Sequence, residues 1–324
     1  MTIEVIGSYP PITRLQTGFY SLDRAFINDL GEIGVPVGHC WEIFGTSHTG
    51  KSTFAYSLSG ILATLQKKNI VLCDFEGLDQ LFLTRILKGV NFSGKVNLAI
   101  DKEDEDQIEK MMTLLAQKEY SIAILDSISA ISPLSEVKSE LGEANMGRRA
   151  FLMAQLSRKA LHMFRFSKEP KTLLMINHWV PKIGSRGYQA PGGEIKSFLA
   201  TTRILLKRDP PQGFPDGSYV LEGEVKKNRW GFRNRKFHVF MLAARGMHPG
   251  LSALWDCVAL KKATCKNYTV TMNDESEKLS VYVKGAHEGN DEIFGCFYKA
   301  LAENTSDGSE QEQDFSGTTD ISED

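Results

Sequence analysis

The chain has 324 residues, and its 38 basic and 40 acidic side chains leave a formal net charge of −2. This length, with 42% hydrophobic residues, suits one sizeable α/β core and a small satellite domain. A membrane partner and export are not expected: no apolar run nears the ~20 residues that span a bilayer, and Met1 to Pro11 carries Glu4 where a leader would be basic and then apolar.

In chain order, Ile3 to Gly7 alternates apolar and polar residues as a short strand, until Tyr9, Pro10 and Pro11 break it. A helical segment follows Thr17-Gly18 through Leu22, Asp23 and Phe26. Trp41 to Phe44 reads as a strand feeding a glycine loop, and Thr53 to Gln66 as the helix after it. Asn69 to Asp74 is a second strand, Gln107 to Gln117 an amphipathic helix and Ile122 to Asp126 a buried strand. Met146 to Phe164 is a long helix, and Thr172 to Asn177 another buried strand. Strands alternating with helices predict α/β architecture with a doubly wound, mostly parallel sheet. Beyond Ala200 come strands at Thr202 to Leu206, Tyr219 to Val225 and Lys236 to Leu242, joined by polar or Pro/Gly-rich turns, which predict an antiparallel extension. Pro249 to Ala302 reads as a small α+β module. From Glu303 to Asp324 there are eight acidic residues and no basic one, so the rest of the chain carries about +6. That tail is too polar to fold by itself, and it could compete with phosphates for basic surface. Cys40, Cys73, Cys257, Cys265 and Cys296 lie far apart without a C-x-x-C spacing, which predicts buried free thiols in the cytoplasm.

Three motifs carry chemistry. Gly45-Thr46-Ser47-His48-Thr49-Gly50-Lys51-Ser52, followed by Thr53, matches G-x-x-x-x-G-K-[ST] between a strand and a helix. Its glycines let backbone N–H groups close around phosphate oxygens at a helix N-terminus. Lys51 is placed to reach the β- and γ-phosphates and Ser52 to bind Mg²⁺, so ATP and Mg²⁺ are the expected cofactors. Ile122 to Asp126 is an apolar strand ending in a carboxylate, the form needed to hold magnesium beside such a loop. Asp74-Phe75-Glu76-Gly77-Leu78-Asp79 follows what is expected to be the strand next to the glycine-loop strand. A carboxylate there can activate water, with Glu76 the candidate base; Asp74 and Asp79 could instead cap a helix.

With these motifs, the sequence resembles the RecA family from about Ile3 to Ala302. Thr17-Gly18 with Leu22-Asp23, then Gly34-Val35-Pro36-Val37-Gly38, Glu42 and Gly45, resembles that family's entry into its P-loop. Asp74-Phe75-Glu76 is similar to the segment that holds its general base, and Asp79 and Phe82 match positions that contact adenine. Leu125-Asp126-Ser127, then Pro133, Glu136, Glu140, Leu141-Gly142 and Met146-Gly147, resembles the Walker B strand, first DNA loop and following helix. From that helix Arg158 could reach phosphates or simply face solvent. Ile176-Asn177-His178 opens what resembles the second DNA loop, closed by Gly192-Gly193 and Lys196. That loop offers an exposed Trp179 with Lys182, Arg186 and Tyr188, the mixture of cations and aromatics that neutralises phosphate and stacks on bases. Lys227-Asn228-Arg229 resembles a pair of cations inserted into a neighbouring subunit's ATP site; a solvated basic turn is the other reading.

The resemblance implies a recombinase with DNA-dependent ATP hydrolysis, which forms filaments on single-stranded DNA and pairs it with duplex DNA. Its partners would be both DNA forms, further copies of itself, and single-strand-binding or loader proteins, in a bacterial or phage-infected cell. The implied plan is residues 1–15 as a polymerisation strand and linker, 16–248 as a RecA-like ATPase core with two DNA loops, 249–302 as a small domain and 303–324 as a disordered acidic tail. Departures include His178 where bacterial relatives have glutamine, a shorter second loop and a truncated amino terminus. UvsX-type phage recombinases look similar at His178. A DNA motor of the same fold, whether ring helicase or packaging ATPase, and a recombination mediator with weak ATPase remain as alternatives.

Overall fold

The computed structural model describes residues 12–138, 148–181, 188–189, 199–208, 214, 216–266 and 268–306. In chain order the elements are β1 (Thr13–Leu15), α1 (Tyr20–Ala25), β2 (Val35–Val37), β3 (Cys40–Gly45), α2 (Lys51–Gln66), β4 (Asn69–Asp74), α3 (Gln80–Gly89) and β5 (Val96–Leu98). Next come α4 (Asp104–Ala116), β6 (Tyr120–Asp126), α5 (Leu134–Val137), α6 (Arg148–Phe166), β7 (Thr172–His178), β8 (Val180–Pro181) and β9 (Tyr188–Gln189). The antiparallel part holds β10 (Thr202–Arg208), β11 (Tyr219–Asn228), β12 (Lys236–Leu242) and β13 (Gly246–Met247). The carboxyl-terminal part holds α7 (Pro249–Ala259), β14 (Thr264–Lys266), β15 (Thr269–Met272), β16 (Glu275–Lys278), α8 (Leu279–Glu288) and α9 (Gly295–Ser306).

Among the described residues nine strands form one sheet in the order β13-β12-β11-β10-β3-β7-β6-β4-β5. From β10 to β5 every pairing is parallel, while β10 to β13 pair antiparallel, as the change of pattern after Ala200 predicts. The parallel strands are continuous apolar runs because helices cover both faces. Alternate residues of β6 divide between two cores: Ile122 and Ile124 join the cluster under α2 and α3, and Ala123 and Leu125 the cluster under α4 and α6. On β12 the same period of two sends Phe237, Val239 and Met241 into the first core. Phe240 and Leu242 go to a third core, shared with α7, α8 and α9. The carboxyl-terminal helices therefore pack on the far face of the antiparallel extension.

Four expectations need correction. β4 is not beside β3; β7 and β6 lie between them, because the crossover through α2 skips two places that later strands fill. Thr13–Leu15 is no linker but a strand paired with Val35–Val37, and Arg14 donates to the carbonyls of Phe26, Gly34 and Trp230. The last helix continues to Ser306, past the boundary expected at Ala302, since Leu301 is buried and docks that turn. Cys40, Cys73 and Cys257 are buried free thiols, but Cys265 is half-buried and Cys296 exposed. The expected strand at Ile3 to Gly7 and most of the acidic tail lie outside the described residues.

Candidate nucleotide site

The carboxyl ends of β3, β7, β6 and β4 meet at one rim of the sheet, where a doubly wound fold binds its ligands. Gly45 ends β3, and a Cβ there would sit 2.5 Å from the Leu206 carbonyl oxygen, so only glycine lets the chain turn out. Thr46, Ser47 and His48 are exposed on the loop. Thr49 Oγ1 donates to the Thr46 carbonyl at 2.6 Å, and Lys51 Nζ to the same oxygen at 2.8 Å. Gly50, at φ 92°, is the N-cap of α2 and offers no side-chain cap, so the first N–H groups of the helix face the loop. Thr53 shares a hydrogen bond with the Tyr219 hydroxyl, which lies where a Cβ of Gly50 would be. Burial draws the Lys51 ammonium below its ordinary pKa, against the pull of Glu76 and Asp126.

Asp126 ends β6 and is buried. Its Oδ2 accepts from the Tyr56 hydroxyl at 2.7 Å. Its Oδ1 is buried and makes no hydrogen bond among the described residues. Burial raises the carboxyl's pKa, hydrogen bonds from Tyr56 and Ser52 oppose that, and Glu76 and Asp74 add to it. A buried carboxylate oxygen without a partner, beside a serine hydroxyl, is the hard oxygen donor set that fits Mg²⁺; Ser52 and Asp126 are the residues that would hold it.

Glu76 stands between two donors. Ser127 Oγ donates to Glu76 Oε1, and His178 Nε2 lies 2.9 Å from the same oxygen. Burial raises the Glu76 pKa, but the Ser127 and His178 hydrogen bonds and the charges of His178 and Lys51 together hold it below its ordinary value. Asp74 shapes this loop: its carboxylate accepts from the N–H groups of Glu76, Gly77 and Leu78 at 3.3, 3.0 and 2.7 Å. Asp79 caps α3 by accepting from Leu81 N at 2.8 Å, and Phe82 packs half-buried against the first core. For Asp79 this is the cap that the capping alternative anticipates.

The RecA N-terminal domain model matches residues 7–213. The chain belongs to the RecA family. It is 32% identical over 242 residues to Protein RecA of a Nitratiruptor species, a match covering 71% of this chain and 66% of that protein. Against Protein RecA of a Sulfurovum species identity is 30% over 245 residues, with 71% and 66% covered. Against that of Aquifex pyrophilus it is 30% over 243 residues, with 70% and 65% covered. The chain thus matches just under two thirds of these RecA proteins' length.

In this RecA-family fold Lys227 and Arg229 are not brought to the chain's own P-loop. In register, Lys227 faces Arg203, which faces Glu42, and Asn228 faces Thr202, which faces Trp41. In register they lie toward the start of β3, about three residues or roughly 10 Å along the strand from Gly45. Lys227 Nζ donates to the Ala200 carbonyl at 2.8 Å; burial and then the charges of Arg203 and Arg229 lower its pKa. Arg229 is exposed and lies over the Trp230 ring at 5.3 Å. The buried Asn228 fixes the turn, accepting from Trp230 N at 3.1 Å and donating to the Phe232 carbonyl at 3.3 Å.

Of the expected DNA contacts, Arg158 is exposed on α6. Trp179 is half-buried rather than exposed: its ring meets Phe44 edge-on at 5.9 Å, and its backbone N–H donates to the Gly45 carbonyl at 2.9 Å. β7 runs straight past the P-loop strand, so the first residues after His178 still pack on it. Met146, Gly147, Lys182, Arg186, Gly192, Gly193 and Lys196 lie outside the described residues. Tyr56 and Tyr219 of the rim escaped the sequence reading, and Ser127 was read only within the Walker B resemblance, without its bond to Glu76. Ser127 directly follows Asp126, and Tyr56 lies one helical turn after Ser52, so both carried a local signal; Tyr219 arrives across the antiparallel extension and carried none.

Proposed function

We propose that the chain is a DNA-dependent ATPase of homologous recombination, which assembles on single-stranded DNA with ATP and Mg²⁺ bound and pairs it with a homologous duplex. The 2.9 Å bond between Glu76 and His178 carries this reading, because it joins the group placed to activate water to the residue from which the second DNA loop departs. Backbone N–H groups of Thr46 to Ser52 and the Lys51 ammonium hold the phosphates. Ser52 and Asp126 would hold Mg²⁺, which would supply positive charge to offset that of the phosphates. Glu76 accepts a proton from water as the water oxygen bonds to the γ-phosphorus and the bridging oxygen leaves with ADP. His178 and Ser127 fix the Glu76 carboxylate, so a shift of the loop after β7 also shifts the base.

Lys227 and Arg229 act on a neighbour's nucleotide, a contribution of about 10³–10⁵ in rate if they behave as arginine fingers do. β5 pairs only with β4 among the described residues, and its open edge suits residues 3–7 of a neighbour. Residues 13–248 form the ATPase core and 249–306 the small domain. Lys182, Arg186, Lys196 and Arg158 neutralise DNA phosphates, with Met146, Gly147, Gly192 and Gly193 in the loops. ATP hydrolysis with and without single-stranded DNA, at two salt concentrations, tests this: stimulation that fades with salt is expected, and a rate indifferent to DNA overturns it. The end-to-end placement of P-loop and cations suits a ring motor as well; negative-stain images with DNA separate a helical filament from a closed ring.

A further inference from the structure

Tyr56 is buried in the first core, 2% exposed. For its ring alone, phenylalanine would serve. Its hydroxyl, however, donates to Asp126 Oδ2 at 2.7 Å, at the rim where Ser52 and Asp126 stand together. Ser52 and Tyr56 are four apart on α2, hence one turn apart on one face, and both act on the same carboxylate. The first turn of the helix supplies the hydroxyl that would sit on the cation; the second supplies a donor to the carboxylate that would sit opposite.

We infer that Tyr56 is a positioning residue for magnesium: its hydroxyl pins Asp126 Oδ2, so that Oδ1 is presented to the cation. This rests on the reading of Asp126 as the magnesium carboxylate. Oδ1 is buried and makes no hydrogen bond among the described residues, whereas Oδ2 is occupied. Mg²⁺ demands near-ideal octahedral geometry, so an Asp126 free to rotate about its Cβ–Cγ bond loses the alignment it needs. Asp74 and Glu76 are the other carboxylates whose charge acts on this group. Hydrogen bonds that orient a metal-bound carboxylate typically change metal affinity about 10–100-fold when removed.

The test uses the full chain, a fluorescent ADP analogue and added Mg²⁺, reading the Mg²⁺ concentration that half-restores tight nucleotide binding after chelation. Tyr56→Phe keeps the ring and is expected to raise that concentration about ten-fold or more, with nucleotide affinity in chelator little changed. In an Asp126→Asn background the same substitution is expected to add nothing. If Asp126→Asn shifts the Mg²⁺ dependence and Tyr56→Phe moves it less than about two-fold, the inference is overturned while the metal reading stands. If Asp126→Asn itself shifts nothing, the metal reading fails and the inference with it. Should Tyr56→Phe not fold, fluorotyrosine placed at position 56 gives an independent readout. Its fluorine resonance is expected to move when Mg²⁺ is added to the ADP-bound chain, and a resonance indifferent to Mg²⁺ overturns the inference.

Discussion

Glu76 holds its proton less tightly than an ordinary glutamate although burial works the other way, because Ser127 and His178 bond to its carboxylate. A depressed value means that the ionised, proton-accepting form survives into acid and is lost only as pH falls through the depressed pKa. His178→Ala removes one of these donors, so the acid limb of the pH–rate profile should move toward higher pH. Single-turnover hydrolysis across pH checks it, and an unmoved limb would show that His178 does not set the base. Glu76→Gln should lower the hydrolysis step by about 10²–10⁴ with ATP binding retained, measured by nucleotide titration beside the rate. The side chains that meet at the rim were legible at this scale because each belongs to a contiguous motif: Lys51 and Ser52 in the glycine loop, Asp126 at a strand end, Glu76 after another. Their hydrogen-bond partners were not, because strand order decides which side chains face each other. Only when β7 lies between β3 and β6 does His178 come within reach of Glu76.

The P-loop works as an element because Gly50 takes a backbone angle that side chains avoid and leaves its Cα face to the Tyr219 hydroxyl. Gly50→Ala combines the φ 92° strain with that collision. Left-handed strain alone is worth about 1–2 kcal/mol, so a lowered melting temperature together with lost ADP binding is expected. Calorimetry and ADP titration on the same sample check it; normal ADP affinity would show that the loop closes some other way. β3, β4, β6 and β7 of the parallel sheet announced themselves as apolar runs, and their observed limits differ from the reading by a few residues at most. α3 went unread although it is amphipathic, since Leu81 is exposed beside the buried Leu83, Ile86 and Leu87 and blurs its periodicity. β1, β2 and β5 have three residues each, too few for any alternation to show.

Between the core and the carboxyl-terminal helices, Asp256 of α7 is fully buried, and its Oδ2 accepts from Ser21 N of α1 at 3.2 Å. Burial raises its pKa to about 7, against the Ser21 hydrogen bonds. A raised carboxyl favours the folded state while protonated, and that advantage disappears as pH rises from the ordinary carboxylate value through the folded one. Melting temperature should therefore fall between about pH 4 and 7. Asp256→Asn, which stays neutral, should flatten that slope; thermal melts across the range measure it, and an unchanged slope would assign it to other groups. The small domain as a whole was legible as a change of pattern after Pro249. Its attachment to the core was not, because Asp256 and Ser21 are far apart in sequence and carry no motif.

The glycine loop and the Lys227–Arg229 turn occupy opposite ends of one strand neighbourhood, and in a head-to-tail row that gives the assembly a direction. A row of n subunits then has n − 1 completed junctions, and one terminal subunit always keeps a nucleotide that no neighbour's cation reaches. Turnover per subunit should rise with the length of the oligonucleotide that templates the row; a rate independent of that length would deny the cations their place across the junction. On the proposed filament the two tips would be chemically unequal, one able to spend its nucleotide and detach, the other obliged to wait. A closed ring, having no tips, would lose that asymmetry altogether.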